Sequence, residues 1–137
     1  MRTIFVGDLH GCIAEFRELL AKVSFDASAD RLLLTGDAFS RGPGPLEVWR
    51  LIEELQPEMI LGNHDDRLMS QLRDHREGKK PKFHQPDQDS VLEALLPEAC
   101  ELLGWLESLP LYIREEEFLL VHAGINPELG IDGTSRN

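Results

Sequence analysis

Six side chains, at four widely separated places in the chain, offer the donors that a divalent metal ion and a phosphate group would need. The stretches Gly7-Asp8-Leu9-His10-Gly11, Gly36-Asp37-Ala38-Phe39-Ser40-Arg41-Gly42, Gly62-Asn63-His64-Asp65 and Val121-His122-Ala123-Gly124 supply Asp8, His10, Asp37, Asn63, His64 and His122. Oxygen donors mixed with imidazoles suit a pair of first-row divalent ions such as Mn²⁺, Fe²⁺ or Zn²⁺ better than Mg²⁺ or Ca²⁺ alone. A carboxylate can bridge two ions through its two oxygens, and Asp37, on the middle segment, is the natural bridge. The flanking glycines let the backbone turn sharply and approach a phosphate closely. Each fragment alone is weak, since Asp-x-His is common in loops and Asn-His-Asp serves equally as a helix cap. All four in order, each directly after a strand-like run, form a specific pattern.

The elements that must position these residues are readable around them. Thr3-Ile4-Phe5-Val6 is a β-branched and aromatic run stopped by Gly7, as a buried strand would be. From Cys12 to Val23 the apolar Ile13, Phe16, Leu19, Leu20 and Val23 fall on one helical face. Leu32-Leu33-Leu34-Thr35 is a second strand, and the resulting βαβ unit predicts parallel strands. The pattern repeats with a helix through Leu46, Trp49, Ile52 and Leu55, and a third strand at Met59-Ile60-Leu61. In an open α/β sheet ligands bind beyond the carboxyl ends of the strands, so the polar clusters there are expected to converge. A third helix is predicted from His64 to about Arg76. Residues 89–109 return to helix, with Pro97 at the first turn of a second segment and Trp105 in the core. Leu111-Tyr112-Ile113 and Phe118-Leu119-Leu120-Val121 read as a hairpin that delivers His122. Gly78 to Gln88 reads as a surface insertion whose lysines, Lys79, Lys80 and Lys82, face water rather than a substrate phosphate. His75 and His84 lie in polar stretches and read as surface residues.

At 137 residues, with 42% apolar and 28% charged side chains, the chain has the length and composition of one folded domain. Its formal net charge of -11 argues against nonspecific binding to nucleic acid or anionic membrane, and makes local positive charge a requirement for handling phosphates. Cys12 and Cys100 are too far apart in sequence for a CxxC pair and are expected to be buried free thiols. No apolar run approaches the ~20 residues of a membrane span and no signal peptide is visible, which points to the cytoplasm.

Through its GDLHG, GDAFSRG, GNHD and VHAG stretches the sequence resembles the calcineurin-like metallophosphoesterase family. The resemblance implies an α/β fold in which helices flank a sandwich of two β-sheets, with residues 1–137 forming the N-terminal part of the family's full domain. It implies two divalent ions, with manganese foremost and iron or zinc as alternatives. Asp8 and His10 would hold the first, Asp37 would bridge, and Asn63 and His122 would hold the second. His64 would be the catalytic acid, and Arg41 and Asn63 would contact the substrate phosphate. The chemistry is coherent with those roles. Two such ions ~3.5–4 Å apart stabilise both the attacking and the leaving oxygens of an in-line displacement and lower the pKa of water toward ~7. Arg41 offers a planar fork for phosphate oxygens, although a surface arginine is its plainer reading.

In the branch of the family that acts on phosphoserine and phosphothreonine, the position of Ser40 is normally an aspartate that pairs with the catalytic histidine. Without that carboxylate the imidazolium form of His64 loses support and the residue becomes a weaker acid. A nucleoside diphosphate leaves as an anion with a last pKa near ~6 and needs little protonation, unlike a serine alkoxide. Together with RGPGPLEV, LGNHD and LVHAGINP, this makes the chain most similar to the symmetrical dinucleoside tetraphosphatases. The expected reaction is cleavage of diadenosine tetraphosphate to two ADP by a metal-bound hydroxide. The alternatives are a protein phosphatase or general phosphomonoesterase on the same scaffold. Full-length members of the family continue further, with a later Gly-His segment completing the second metal site. A third reading, from another class, is therefore an inactive, truncated metal-binding remnant. That reading expects apolar sheet surface left uncovered and a chain stopped in a loop at Gly133 to Asn137. The oligomeric state is not legible.

Overall fold

Three consecutive leucines in a strand cannot share one face, because successive side chains point to opposite sides of the sheet. Leu32, Leu33 and Leu34 are all buried, so the strand that carries them must be covered on both faces. The computed structural model, which describes residues 1–123, shows how. Strands β1 (Arg2–Val6), β2 (Asp30–Leu34) and β3 (Glu58–Met59) form a parallel sheet in the order β1-β2-β3, joined by helices α1 (Ile13–Lys22) and α2 (Pro45–Leu55). The register sets Ile4 beside Leu32, Val6 beside Leu34, and Leu34 beside Met59. Helices α3 (Asn63–Arg76), α4 (Gln88–Leu95) and α5 (Ala99–Ser108) follow, and strands β4 (Tyr112–Arg114) and β5 (Leu119–Val121) close an antiparallel hairpin.

One face of the parallel sheet, through Leu32, Leu34 and Met59, belongs to the main core, which also takes Phe16 of α1, Val48 and Ile52 of α2, Leu68 and Leu72 of α3, and Leu102 and Leu106 of α5. The other face, through Leu33 and Ile60, packs on Leu120 with Ile113 and Phe118 of the hairpin. Two sheets with helices on the outer side is the layering the sequence predicts. Arg31 of β2 ties the layers together at the edge, donating to Glu58 of β3 and to Glu115 in the hairpin turn. These two carboxylates raise its pKa further above the arginine range. Phe5 and Leu119 remain largely exposed at 47% and 43%, so this face does keep uncovered apolar surface.

Two expectations need correction. The third strand is short: its paired residues are Glu58 and Met59, Ile60 N reaches Leu34 O only at 3.3 Å, and the N–H of Leu61, on the edge away from β2, bonds Pro110 O at 2.8 Å. The cysteines are free but not buried: Cys12 is half-buried and Cys100 is exposed on α5. The segment from Gly78 to Gln88 is a surface insertion, as expected, with Lys79, Lys80 and Lys82 exposed, and it is anchored where it meets α4. Gln88 is buried, and the Nε2 of buried Gln71 donates both to Gln88 Oε1 and to Lys82 O at 3.1 Å. Pro97 opens a 3-10 turn, Leu96–Glu98, directly before α5. Trp105 is half-buried and packs against the main core. Gly124 and the loop expected at Gly133 to Asn137 lie outside the described residues.

Candidate active site

Each site residue sits where a strand stops, and the stopping points are stitched to one another through the backbone. The turn after β1 meets the turn after β2 through His10 N to Asp37 O at 2.9 Å and Gly11 N to Ala38 O at 2.8 Å. The turn after β2 meets the start of α3 through His64 N to Asp37 Oδ1 at 2.9 Å. Beyond β5, the ring of His122 reaches back to Thr35 O at 2.7 Å. His10, Asp37 and Arg41 all have left-handed backbone, at φ of 46°, 53° and 75°. Non-glycine residues adopt such geometry only where the surroundings enforce it. Glycine is indispensable at Gly62, where any Cβ would run into Asp37 Oδ1.

Phe39 anchors the Asp37–Arg41 turn from below. Its ring is 1% exposed and stands edge-on to Trp49 and Trp105, with centroids 6.4 Å from each. This aromatic cluster fixes the turn against α2 and α5, so Asp37, Ser40 and Arg41 project from a rigid platform. Ser40 is nearly buried and Arg41 is exposed at the rim. Among the described residues Arg41 makes no ion pair, which leaves its guanidinium available to an anion.

At the centre, ligand atoms of Asp8, Asp37 and His122 lie within 4.8 Å of one another. His122 Nε2 is 3.0 Å from Asp37 Oδ2 and 3.0 Å from Asn63 Oδ1. Thr35 O can only accept, so the proton on the uncharged His122 ring is assigned to Nδ1. Nε2 then turns a lone pair toward two oxygens that are acceptors themselves. Three converging lone pairs are stable only around a cation or a proton, and this donor set fits a divalent ion. The titration of His122 reflects the same geometry. Burial alone would lower its pKa, yet the bond to Thr35 O and the carboxylates of Asp37, Asp8 and Asp65 raise it above the ordinary imidazole value. Asp8 takes a hydrogen bond from Thr35 Oγ1 at 3.3 Å and lies 3.5 Å from His10 Nε2. All five predicted ligands therefore lie close together, with His10 on the Asp8 side and Asn63 on the His122 side.

His64 and His10 stand edge to face, their ring centroids 5.6 Å apart. The Nδ1 atoms of both are buried and have no hydrogen-bond partner among the described residues. Burial lowers the pKa of His64; Asp37 pulls the other way, while Arg41, His10 and Arg67 add to the lowering. No carboxylate holds Nδ1 of this ring, in keeping with a serine at position 40.

Sequence reasoning missed Asp65. Its side chain is 1% exposed and accepts three backbone N–H groups, from Asp37 at 2.7 Å, Gly62 at 2.9 Å and Ala38 at 3.2 Å. Burial pushes its pKa up to about 6, against the pull of those donors. The available signal was an acidic residue three positions after Gly62, where the side chain can reach back to the helix N-terminus.

The model of the family described as calcineurin-like phosphoesterase matches residues 1–136. Over 136 residues the chain is 45% identical to a protein of Klebsiella pneumoniae (strain 342) named symmetrical bis(5'-nucleosyl)-tetraphosphatase, covering 96% of this chain and 46% of that protein. Its identity to the protein of the same name from Serratia proteamaculans (strain 568) is 42% over 136 residues, with the same coverage. A solved structure, "Crystal structure of a putative diadenosine tetraphosphatase", superposes with a TM-score of 0.71 at 31% identity, covering 96% of this chain and 54% of that one. The chain thus spans about half the length of the curated relatives it matches. With the four motifs gathered at one end of the sheet and the family model matching nearly end to end, the chain belongs to the calcineurin-like phosphoesterase family.

Proposed function

We propose that this site hydrolyses phosphoanhydrides in a metal-dependent reaction, its substrate being a dinucleoside tetraphosphate cut symmetrically, diadenosine tetraphosphate to two ADP. The observation that carries the reading is His64, whose Nδ1 is buried with no carboxylate partner among the described residues and whose pKa is lowered by burial. Such a ring protonates a basic alkoxide poorly, but it suffices for a leaving group that departs as a stable anion. The names carried by the relatives from Klebsiella and Serratia support the same substrate class.

In this reading Asp8, His10 and Asp37 hold one divalent ion, and Asp37, Asn63 and His122 hold the other. Manganese is favoured, because the mixed oxygen and nitrogen donors suit a borderline ion. When bound, such ions supply Lewis-acid activation of water and neutralise phosphate charge. Arg41 takes two oxygens of the phosphoryl group under attack and aligns it, because its fork is planar and makes no ion pair among the described residues. Asn63 keeps its Oδ1 toward His122 and turns its amide N–H toward the phosphate. As the oxygen of water bonds to one central phosphorus, the bridging oxygen leaves with the electron pair of the bond that breaks. His64 lies beside that oxygen and supplies a hydrogen bond or a proton to it. The products are two ADP, with the proton of water released to solvent. Among the described residues no helix is long and apolar enough to cross a membrane, and the free thiols of Cys12 and Cys100 fit a cytoplasmic setting.

The test is a substrate panel on the purified chain with Mn²⁺: diadenosine tetraphosphate, a phosphoserine peptide and p-nitrophenyl phosphate. The dinucleotide is expected to give ADP as its sole nucleotide product and to turn over fastest. Faster phosphate release from the peptide would move the site to the phosphatase branch. No turnover of any substrate, with one tightly held ion or none per chain, would indicate a metal-binding remnant.

A further inference from the structure

The exposed loop after α3 is anchored by buried amides, and it walls one side of an open pocket. Along α3, one turn beyond His64, Arg67, Ser70 and Asp74 line one wall of a space of about 200 Å³, with Asp66 at its edge, and Lys82 and His84 form the other wall. The facing wall is built rather than draped. Gln71 fixes the carbonyl of Lys82, and buried Gln88 accepts the N–H of His84 at 2.6 Å. Two buried glutamines are costly unless fully bonded, and here their bonds serve to hold the backbone of Lys82 and His84 against α3. Among the described residues neither Arg67 nor Lys82 has an ion-pair partner.

The stripe begins beside the reacting centre, since His64 and Arg67 are three residues apart on one helix and therefore neighbours on its surface. From His64 to Asp74 the helix runs ~15 Å, the scale of an extended nucleoside diphosphate. The lining carries both signs of charge, which suits a nucleotide better than free phosphate. Guanidinium and ammonium groups take phosphate oxygens, while a carboxylate with a neighbouring hydroxyl takes a ribose diol, as in dinucleotide sites. We propose that this cavity is the subsite for the outgoing nucleoside diphosphate, Arg67 and Lys82 binding its phosphates and Asp74 with Ser70 its ribose hydroxyls. The assignment rests on reading the main site as a phosphoanhydride hydrolase.

Titration of the full chain with ADP, followed by amide NMR in the absence of metal, separates the two readings. ADP is expected to shift the Lys82 and His84 amides, and the double substitution Arg67→Ala, Lys82→Ala is expected to weaken ADP binding at least about tenfold. With Mn²⁺ that variant is expected to raise KM for diadenosine tetraphosphate by a similar factor, and to raise it far more than KM for p-nitrophenyl phosphate, which has no nucleoside diphosphate to place in the cavity. Wild-type ADP affinity in the double variant, or ADP shifts confined to the strand ends, would overturn the subsite. Cleavage of the dinucleotide by the unaltered chain tests the parent reading alone.

Discussion

The Asp65 carboxylate accepts the backbone N–H of Asp37 at 2.7 Å, so a residue of α3 sets the left-handed turn from which the central carboxylate of the site projects. The same two oxygens also hold Ala38 N and Gly62 N. One buried side chain thus clamps two strand ends, while Asp37 Oδ1 is tied to His64 N and Oδ2 is left facing His122.

Replacing that clamp is therefore expected to act on stability and on metal binding together. Asp65→Ala strands three buried N–H groups, and at ~1–3 kcal/mol each the loss is expected to be at least about 3 kcal/mol. Asp65→Asn keeps one acceptor but turns an amide N–H toward a donor, so it should fall between the two. Urea denaturation measures the first effect and Mn²⁺ titration the second. A variant as stable as the parent, with unchanged Mn²⁺ affinity, would remove Asp65 from the positioning role.

Two glycine substitutions separate close approach from backbone propensity. Gly62→Ala drives a methyl group into Asp37 Oδ1, so Mn²⁺ affinity should drop at least tenfold, about 1.4 kcal/mol at the site. Gly104 lies within α5, and a Cβ there meets nothing within 4 Å. Gly104→Ala is accordingly expected to raise stability by ~0.5–1 kcal/mol through helix propensity and leave metal binding alone. Paired denaturation and metal titrations read both outcomes.

The main lines of this fold were legible because they rest on local patterns. The leucine run of β2, the helical spacing of Phe16 with Leu20, and the four polar clusters after strands each carry their own signal. What escaped depended on contacts between distant segments. Asp65 reads as an ordinary helix-start residue until the Asp37 turn is seen lying across it. The 78–88 loop is legible as surface from its charge and prolines, but its anchoring through the mutual bond of buried Gln71 and Gln88 is not. Residues Ile60 and Leu61 look like strand, yet beyond the bond of Ile60 N to Leu34 O the free edge at Leu61 is satisfied by Pro110 O, a partner with no local signature.

The converging lone pairs of Asp37, Asn63 and His122 predict a large response to metal. Added Mn²⁺ should raise the midpoint of thermal unfolding, and a chelator should reverse the gain. At one hundred times the dissociation constant, linkage gives about 2.7 kcal/mol per site. His122→Ala should abolish part of the shift, because it removes the ligand that Thr35 O orients. Calorimetric scans with and without EDTA decide the matter, and an unchanged midpoint with excess Mn²⁺ would count against a metal centre.

The choice between leaving groups turns on Ser40. His64 Nδ1 is buried and unpartnered among the described residues, so no hydrogen-bonded carboxylate supports the imidazolium there, and burial outweighs the pull of Asp37 to depress its pKa. Ser40→Asp restores a carboxylate on the Phe39-anchored turn and should raise the pKa of His64 by opposite-charge stabilisation. A shift of one unit corresponds to ~1.36 kcal/mol in favour of the protonated ring. Protonation matters most when the departing oxygen is basic. The ratio of kcat/KM for a phosphoserine peptide to that for diadenosine tetraphosphate is thus expected to rise at least about tenfold. Because Ser40 is only 9% exposed, the new carboxylate should also cost some stability, visible as a lower midpoint of unfolding with the fold retained. Equal changes in kcat/KM for the two substrates would show that the proton supply of His64 does not set the preference, and selectivity would then have to come from binding of the nucleotide itself.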